Sequence, residues 1–235
     1  MKQIFSALGG SFTLTFDEFK EKLSDIKAFL FDWDGVFNSG IKVANQGSPF
    51  AEPDAMGTNL LRLGYWLHYG ERFPVVGIIT GANNPTAVYL AGREHFQRVY
   101  MGIKDKPKAL SHLCEHFQIK PSQVAYVFDD VNDLEMAKKV GLRFMVRRDA
   151  SRLLEKYVME NNGCDYLTAH SGGNYAVREI CELILGSLGV YKQVIEHRMK
   201  FDKKYQRYLR ERNKPLSEHF HLVHGEMVKI KTISK

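Results

Sequence analysis

Apolar residues in this chain fall into short unbroken runs, each stopping at a polar cluster. Ala28-Phe29-Leu30-Phe31 ends at Asp32, Val75-Val76-Gly77-Ile78-Ile79 ends at Thr80-Gly81, and Val124-Ala125-Tyr126-Val127-Phe128 ends at Asp129-Asp130. Strands apolar on both faces belong inside a parallel sheet covered by helices on both sides. Two weaker runs, residues 143–146 and 165–168, follow the same pattern. Between the runs, spacing near 3.6 residues predicts helices over residues 57–69, 85–96, 107–117, 133–140 and 175–188. Thr15-Phe16-Asp17-Glu18 is a capping box and predicts a short helix starting at Phe16. This alternation predicts βαβ units and an α/β fold with a doubly wound parallel sheet. Ligands in such sheets bind beyond the carboxyl ends of the strands, where the three best runs turn polar.

Residues 39–53 break the rhythm. Ile41-Lys42-Val43 followed by Asn45-Gln46-Gly47-Ser48 predicts a small β-hairpin insertion. Helical spacing resumes beyond Tyr191 and becomes mixed from Pro215, so the chain divides into a main domain (1–190) and a basic, helical C-terminal extension (191–235).

Charge sharpens that division. The net charge is +6, yet residues 186–235 carry 12 Lys and Arg against 5 Asp and Glu, which leaves the remainder at −1. A nearly neutral main domain argues against a nucleic-acid binder as a whole. The basic run 200–214 carries Tyr205 and Tyr208 between its charges. Nucleic-acid contact is its weaker reading, and a solvated helix packed on a neighbouring subunit the stronger one. No apolar run approaches the roughly 20 residues of a membrane helix, and the stretch 1–15 makes a poor signal peptide, so no membrane partner is expected. Three widely spaced cysteines, Cys114, Cys164 and Cys181, form neither a disulfide framework nor a zinc pattern and point to a cytoplasmic protein. His219 and His221 would share one face of a strand, but without acidic or thiol neighbours a surface or interface role is preferred over a metal site.

The strand ends carry the candidate chemistry. Asp32-Trp33-Asp34-Gly35 leaves a buried strand with two carboxylates one residue apart, and a turn opened by Gly35 lets both approach one site. One carboxylate can attack phosphorus; the other can protonate the leaving oxygen and later deprotonate water. A doubly charged phosphate monoester approaching a carboxylate requires a cation, and Mg²⁺ suits a cluster of Asp oxygens. Asp129, Asp130 and Asp133 supply further ligands, although Asp130 and Asp133 fit equally well as helix caps. Thr80 and the Gly81 N–H offer neutral donors to phosphoryl oxygens. Lys106, favoured over Lys104 and Lys108, would stand at a helix N-terminus beside a bound anion.

Taken in order, Asp32-x-Asp34-Gly-Val, Thr80-Gly81, Lys106 and Asp129-Asp130-x-x-Asp133 resemble the four-motif signature of the haloacid dehalogenase superfamily. Within it the chain resembles the 3-deoxy-D-manno-octulosonate 8-phosphate phosphatase group, over roughly residues 25–190 and including the linking segments 50–57, 102–106 and 172–179. The resemblance implies a Rossmann-like core without a large cap domain, and a homotetramer that packs its hairpins together and lends a C-terminal segment to a neighbour's site. It also implies an aspartyl-phosphate on Asp32, Asp34 as general acid/base, and Mg²⁺ on Asp32, the Asp34 backbone carbonyl and Asp129. Thr80, Gly81 and Lys106 then bind phosphate, with Asp130 and Asp133 behind the metal ligands. Three positions depart from the group: Ala82 and Asn174 stand where it has arginines, and Phe128 where it has glycine. The chain therefore reads as a Mg²⁺-dependent phosphomonoesterase for a small phosphorylated substrate, of the acidic sugar phosphate type. Alternatives are a phosphatase for a nucleotide, nucleic-acid end or phosphoprotein guided by the basic tail, and a catalytically silent binding module.

Overall fold

The computed structural model describes residues 1–43 and 46–230. In chain order, the N-terminal part comprises α1 (Lys2–Leu8), β1 (Ser11–Phe12), α2 (Phe16–Ser24), β2 (Ala28–Phe31), α3 (Glu52–His68), β3 (Val75–Ile79), α4 (Pro85–Glu94) and β4 (Arg98–Met101). Next come α5 (Lys106–Phe117), β5 (Val124–Phe128), α6 (Leu134–Ala137), β6 (Leu142–Arg147), α7 (Arg152–Glu160), β7 (Tyr166–Ser171) and α8 (Ala176–Ser187). The C-terminal part consists of α9 (Tyr191–Lys200), α10 (Lys203–Arg212), β8 (Glu218–Val223) and β9 (Glu226–Ile230).

One nine-stranded sheet runs β1-β7-β6-β5-β2-β3-β4-β8-β9. Its seven inner strands pair in parallel, and the short edge strands β1 and β9 pair antiparallel. The chain winds outward from β2 in one direction through β3 and β4, and from β5 in the other through β6 and β7. The winding therefore reverses between β2 and β5, and the crevice at their carboxyl ends is where this architecture places a ligand. Asp32 and Asp129 are the first residues beyond those two strands.

Alternation along the strands divides the core between the two faces of the sheet. Phe29, Phe31, Ala125 and Val127 face one cluster, closed by α3 and α8, while Leu30, Tyr126 and Phe128 face the other, closed by α5. Phe128 stacks on Tyr126 with ring centroids 5.7 Å apart, so it packs below the strand end instead of crowding the site. A third cluster joins Trp66 of α3 and Leu185 of α8 to Val194, Tyr205 and Tyr208 of α9 and α10. The basic extension thus shares a core with the main domain, and its β8, in the stretch with mixed patterning, continues the parallel sheet beyond β4.

The capping box forms as expected, with Thr15 and Glu18 exchanging bonds at the start of α2. The hairpin region is reduced to a single antiparallel bridge, Val43 to Gly47. Asn45 of the expected turn lies outside the described residues. Beyond that bridge, the connection from β2 to α3 carries no further pairing among the described residues, and no large cap covers the sheet.

Candidate active site

Asn38 shapes the turn that leaves β2. Its amide donates to the Trp33 carbonyl at 3.1 Å, and its Oδ1 accepts from the N–H groups of Gly35 at 3.3 Å and Gly40 at 2.9 Å. Trp33 stacks on Phe37 at 5.0 Å and fixes the turn on the core. Gly35 sits at φ +85, and a Cβ there would lie 2.0 Å from Asp129 Oδ2, so the turn closes only with glycine. These constraints bring Asp32 and Asp34 to one cavity of about 570 Å³, together with Gly81, Lys106, Asp129 and Arg148.

Asp32 continues β2 by one bond, its N–H donating to the Val127 carbonyl at 2.8 Å. Its carboxylate accepts from Lys106 Nζ at 2.7 Å. Lys106 is the first residue of α5 and is buried; the same ammonium bonds Asp133, which also accepts from the Tyr126 hydroxyl. Lys108, by contrast, is half exposed and only 3.8 Å from Asp105. Burial disfavours the charge on Lys106, but Asp32 and Asp133 outweigh it and raise its pKa. For Asp32, burial exceeds the pull of Lys106, and its carboxyl rises to about 7. Asp129 rises to about 8, first through burial and then through the Asp32 charge, with Arg148 opposing.

Asp34 faces a different set of partners. Ser48 Oγ donates to its Oδ1, Asn84 Nδ2 donates to its Oδ2 at 2.9 Å, and Lys42 lies 3.1 Å away. Asn84 also donates to Thr80 Oγ1 at 2.9 Å. Thr80 is fully buried behind the cavity, and it is Gly81 that reaches the wall. Asp130 accepts from the Val131 N–H at 2.7 Å and its own N–H donates to Asp133 at 3.4 Å, the capping arrangement; it also lines the cavity.

A divalent cation fits this site. Oxygens of Asp32, Asp129 and Asp133 lie within 4.8 Å of one another. Asp129 Oδ1 is buried and without a hydrogen-bond partner, a costly state for a carboxylate oxygen that a metal would relieve. Asp133 is already engaged by Lys106 and Tyr126, which leaves Asp32 and Asp129 as the available carboxylates. The side chain of Asp34 belongs to none of this cluster. Among the described residues no group containing His219 or His221 reaches metal-ligand geometry.

Sequence reading did not find Ser48, Asn84, Tyr126 or Arg148. Asn84 had a local signal, since it precedes Pro85 at a helix start. Arg148 had none; it follows β6 and reaches the site only because β6 lies beside β5.

Residues 70–141 match the family model described as haloacid dehalogenase-like hydrolase. The chain is 33% identical over 170 residues to the 3-deoxy-D-manno-octulosonate 8-phosphate phosphatase KdsC of Escherichia coli K12, covering 72% of this chain and 84% of that one. The Yersinia pestis enzyme of the same name is 32% identical over 171 residues. Among solved structures, the Moraxella catarrhalis phosphatase in complex with magnesium, phosphate and KDO superposes with a TM-score of 0.64 at 28% identity, covering 77% of this chain and 97% of that one. The Yersinia pestis phosphatase gives 0.62 at 30% identity, covering 75% and 89%.

Proposed function

The chain belongs to the haloacid dehalogenase-like hydrolases as a phosphoric monoester hydrolase with Mg²⁺ as cofactor, and from that premise we propose an aspartyl-phosphate mechanism acting on a small acidic sugar phosphate. The observation that carries the mechanism is the placement of Asp32 between Lys106 and Asp129 in one cavity at the reversal of the sheet. Asp32 and Asp129, with the Asp34 backbone carbonyl, would hold the Mg²⁺, which when bound would neutralise charge on the phosphoryl oxygens.

Lys106 holds one oxygen of Asp32 and leaves the other to attack phosphorus. As the Asp32–phosphorus bond forms, the ester P–O bond breaks and Asp34 gives its proton to the leaving oxygen. Asp34 then takes a proton from water, whose oxygen attacks phosphorus and releases Asp32 and inorganic phosphate. Ser48 and Asn84 hold the Asp34 carboxyl in one orientation through both half-reactions. The Gly81 N–H and Lys106 provide donors for phosphoryl oxygens, with Thr80 buttressed by Asn84 behind them. Asp130 and Asp133 support the metal side, Asp133 by anchoring Lys106.

The substrate class rests on relatives named for 3-deoxy-D-manno-octulosonate 8-phosphate, and on Lys42, Lys104, Lys106 and Arg148 lining the cavity beside its aspartates, where they can pair with an anionic ligand. Ile41 and Val43 are 67% and 49% exposed beside that cavity, which favours their burial in a homotetramer. Three buried free thiols are consistent with a cytoplasmic setting. Residues 191–235 act in this reading as an appendage to the main domain. No helix among the described residues is long and apolar enough to cross a membrane.

The test is phosphate release from sugar phosphates, nucleotides and an aryl phosphate, with and without Mg²⁺, beside Asp32→Asn. Magnesium-dependent release lost in the variant supports the mechanism, and release unaffected by the variant rejects it. Preference for a nucleotide over every sugar acid phosphate would reject the substrate class alone. Light scattering checks the tetramer, which a monomeric mass would exclude.

A further inference from the structure

Arg148 touches a metal-ligand candidate and borders two hollows. Its guanidinium donates through Nη2 to Asp129 Oδ2, with Nη1 3.9 Å from Asp130. The side chain stays 36% exposed, so one edge holds Asp129 while the rest of the fork faces the cavity. Asp129 Oδ1 remains without a partner, so a cation on that oxygen and Arg148 on the other are compatible.

Behind Arg148 lies a smaller hollow of about 170 Å³, which shares Ser39 and Arg148 with the catalytic cavity and adds Arg147, Ser171 and Gly172. Its walls are cationic and hydroxylic, apart from the outward Asp149, which is 84% exposed. The Arg147 Nε is buried with no hydrogen-bond partner, and its guanidinium lies no closer than 4.0 Å to Glu155. The Arg147 side chain is 21% exposed and lines this hollow, so the accessible part of its guanidinium offers donors to a planar anion. A Cβ on Gly172 would lie 2.0 Å from the Gly35 carbonyl, so this wall is built directly against the catalytic turn.

We propose that Arg148, with the hollow it shares with Arg147 and Ser171, is the subsite that recognises the substrate's carboxylate. This rests on the phosphatase reading and extends it. Phosphorus sits over Asp32, and the acid group at the far end of the substrate is read by a two-pronged guanidinium on the β6 side. Ala82 and Asn174 supply no guanidinium to this cavity, and Arg148 supplies one from the segment that follows β6.

The experiment compares kcat/KM for 3-deoxy-D-manno-octulosonate 8-phosphate with that for D-arabinose 5-phosphate, which lacks a carboxylate, in wild type, Arg148→Ala and Arg148→Lys. Any loss through Asp129 strikes both substrates alike and cancels in the ratio. The wild-type preference for the acid should fall on the order of 10²-fold in Arg148→Ala. Arg148→Lys keeps the charge without the fork and should still lose most of the preference. A ratio unchanged within about threefold would assign Arg148 to Asp129 alone and overturn the proposal, as would a wild type that shows no preference for the acid. A wild type that hydrolyses neither compound nor an aryl phosphate would sink the phosphatase reading itself.

Discussion

The Lys106 ammonium lies 2.7 Å from Asp32 Oδ1 and also bonds Asp133, tying β2, α5 and the segment after β5 through one buried charge. Replacing it by Met removes a cation from the developing phosphoryl charge, so kcat should fall about 10²–10³-fold. The same change leaves two buried carboxylates facing each other, a loss of roughly 3–5 kcal/mol when both are ionised. Because Asp32 can accept a proton, that loss should be smaller at pH 5 than at pH 8. Denaturant unfolding of Lys106→Met at both pH values checks this, and an equal loss at both would count against the buried ion pair.

Asp34 and Asp32 should separate kinetically. Asp34→Asn removes acid/base help, costing about 10²–10⁴-fold in turnover, but an aryl leaving group needs little protonation. With p-nitrophenyl phosphate this variant should release p-nitrophenol in a burst close to one equivalent per site, then slowly, as phospho-Asp32 accumulates. Asp32→Asn should give no burst. A stopped-flow trace without a burst in Asp34→Asn would place the general base elsewhere.

Gly35 packs its backbone directly against Asp129, a candidate metal ligand. Alanine there would meet Asp129 Oδ2 at 2.0 Å and Arg148 Nη2 at 2.3 Å. It would also have to hold φ +85, a cost of about 1–2 kcal/mol for a side-chain-bearing residue. Gly35→Ala should therefore weaken Mg²⁺ binding about 10–100-fold and lower stability. Calorimetric titration with Mg²⁺ measures the first effect, and unchanged affinity would mean that the turn is freer than its packing requires.

The candidate strand ends were legible because each is a local pattern, an apolar run that stops at a polar cluster: Asp32, Thr80-Gly81 or Asp129-Asp130. The capping box at Thr15 and Glu18 was legible for the same reason. β4 was not, since its run opens with Arg98, an improbable residue for a buried strand. That guanidinium is buried because Glu218 of β8 pairs with it and Phe117 and Phe220 pack on it, partners up to 122 residues away. β8 and β9 went unread because the pairing that makes them strands is with β4 and with each other. Arg148 and Ser48 belong to the same class: their importance comes from which strands and loops are neighbours, which local periodicity does not encode.

Tyr208 tests how closely the basic extension is bound to the main domain. It is fully buried, packs edge-on to Trp66 at 5.6 Å and stacks with Phe73 at 5.5 Å. Tyr208→Ala should cost roughly 3–5 kcal/mol, and deletion of residues 191–230 should expose Trp66 and drive aggregation. Arg207, by contrast, pairs with Glu71 and Glu211 at the surface, and Arg207→Ala should change stability by less than about 1 kcal/mol. Thermal unfolding separates the two variants. A truncated chain that melts like the full one would make the extension dispensable.

Proton and metal should compete for Asp32 and Asp129. Their carboxyls rise from an ordinary 3.8 to about 7 and about 8 in the folded, metal-free protein, mainly through burial. A folded pKa above the unfolded one means that the folded state holds extra protons between the two values. The resulting stability is fully present below about pH 4 and is lost as pH rises through 7 and 8. Magnesium requires the deprotonated carboxylates, so its binding must release those protons and strengthen over the same window. At 100 times its Kd the ion stabilises by about 2.7 kcal/mol, roughly 5–10 °C in Tm for a chain of this size. At a fixed Mg²⁺ concentration the Tm increment should therefore be small at pH 5.5 and largest near pH 8, while the metal-free Tm falls over the same range. The Asp129→Asn variant removes one of the two titrating ligands and should flatten both trends. An increment independent of pH would show that the cation binds without displacing protons, and the cluster of Asp32 and Asp129 would then not be its site.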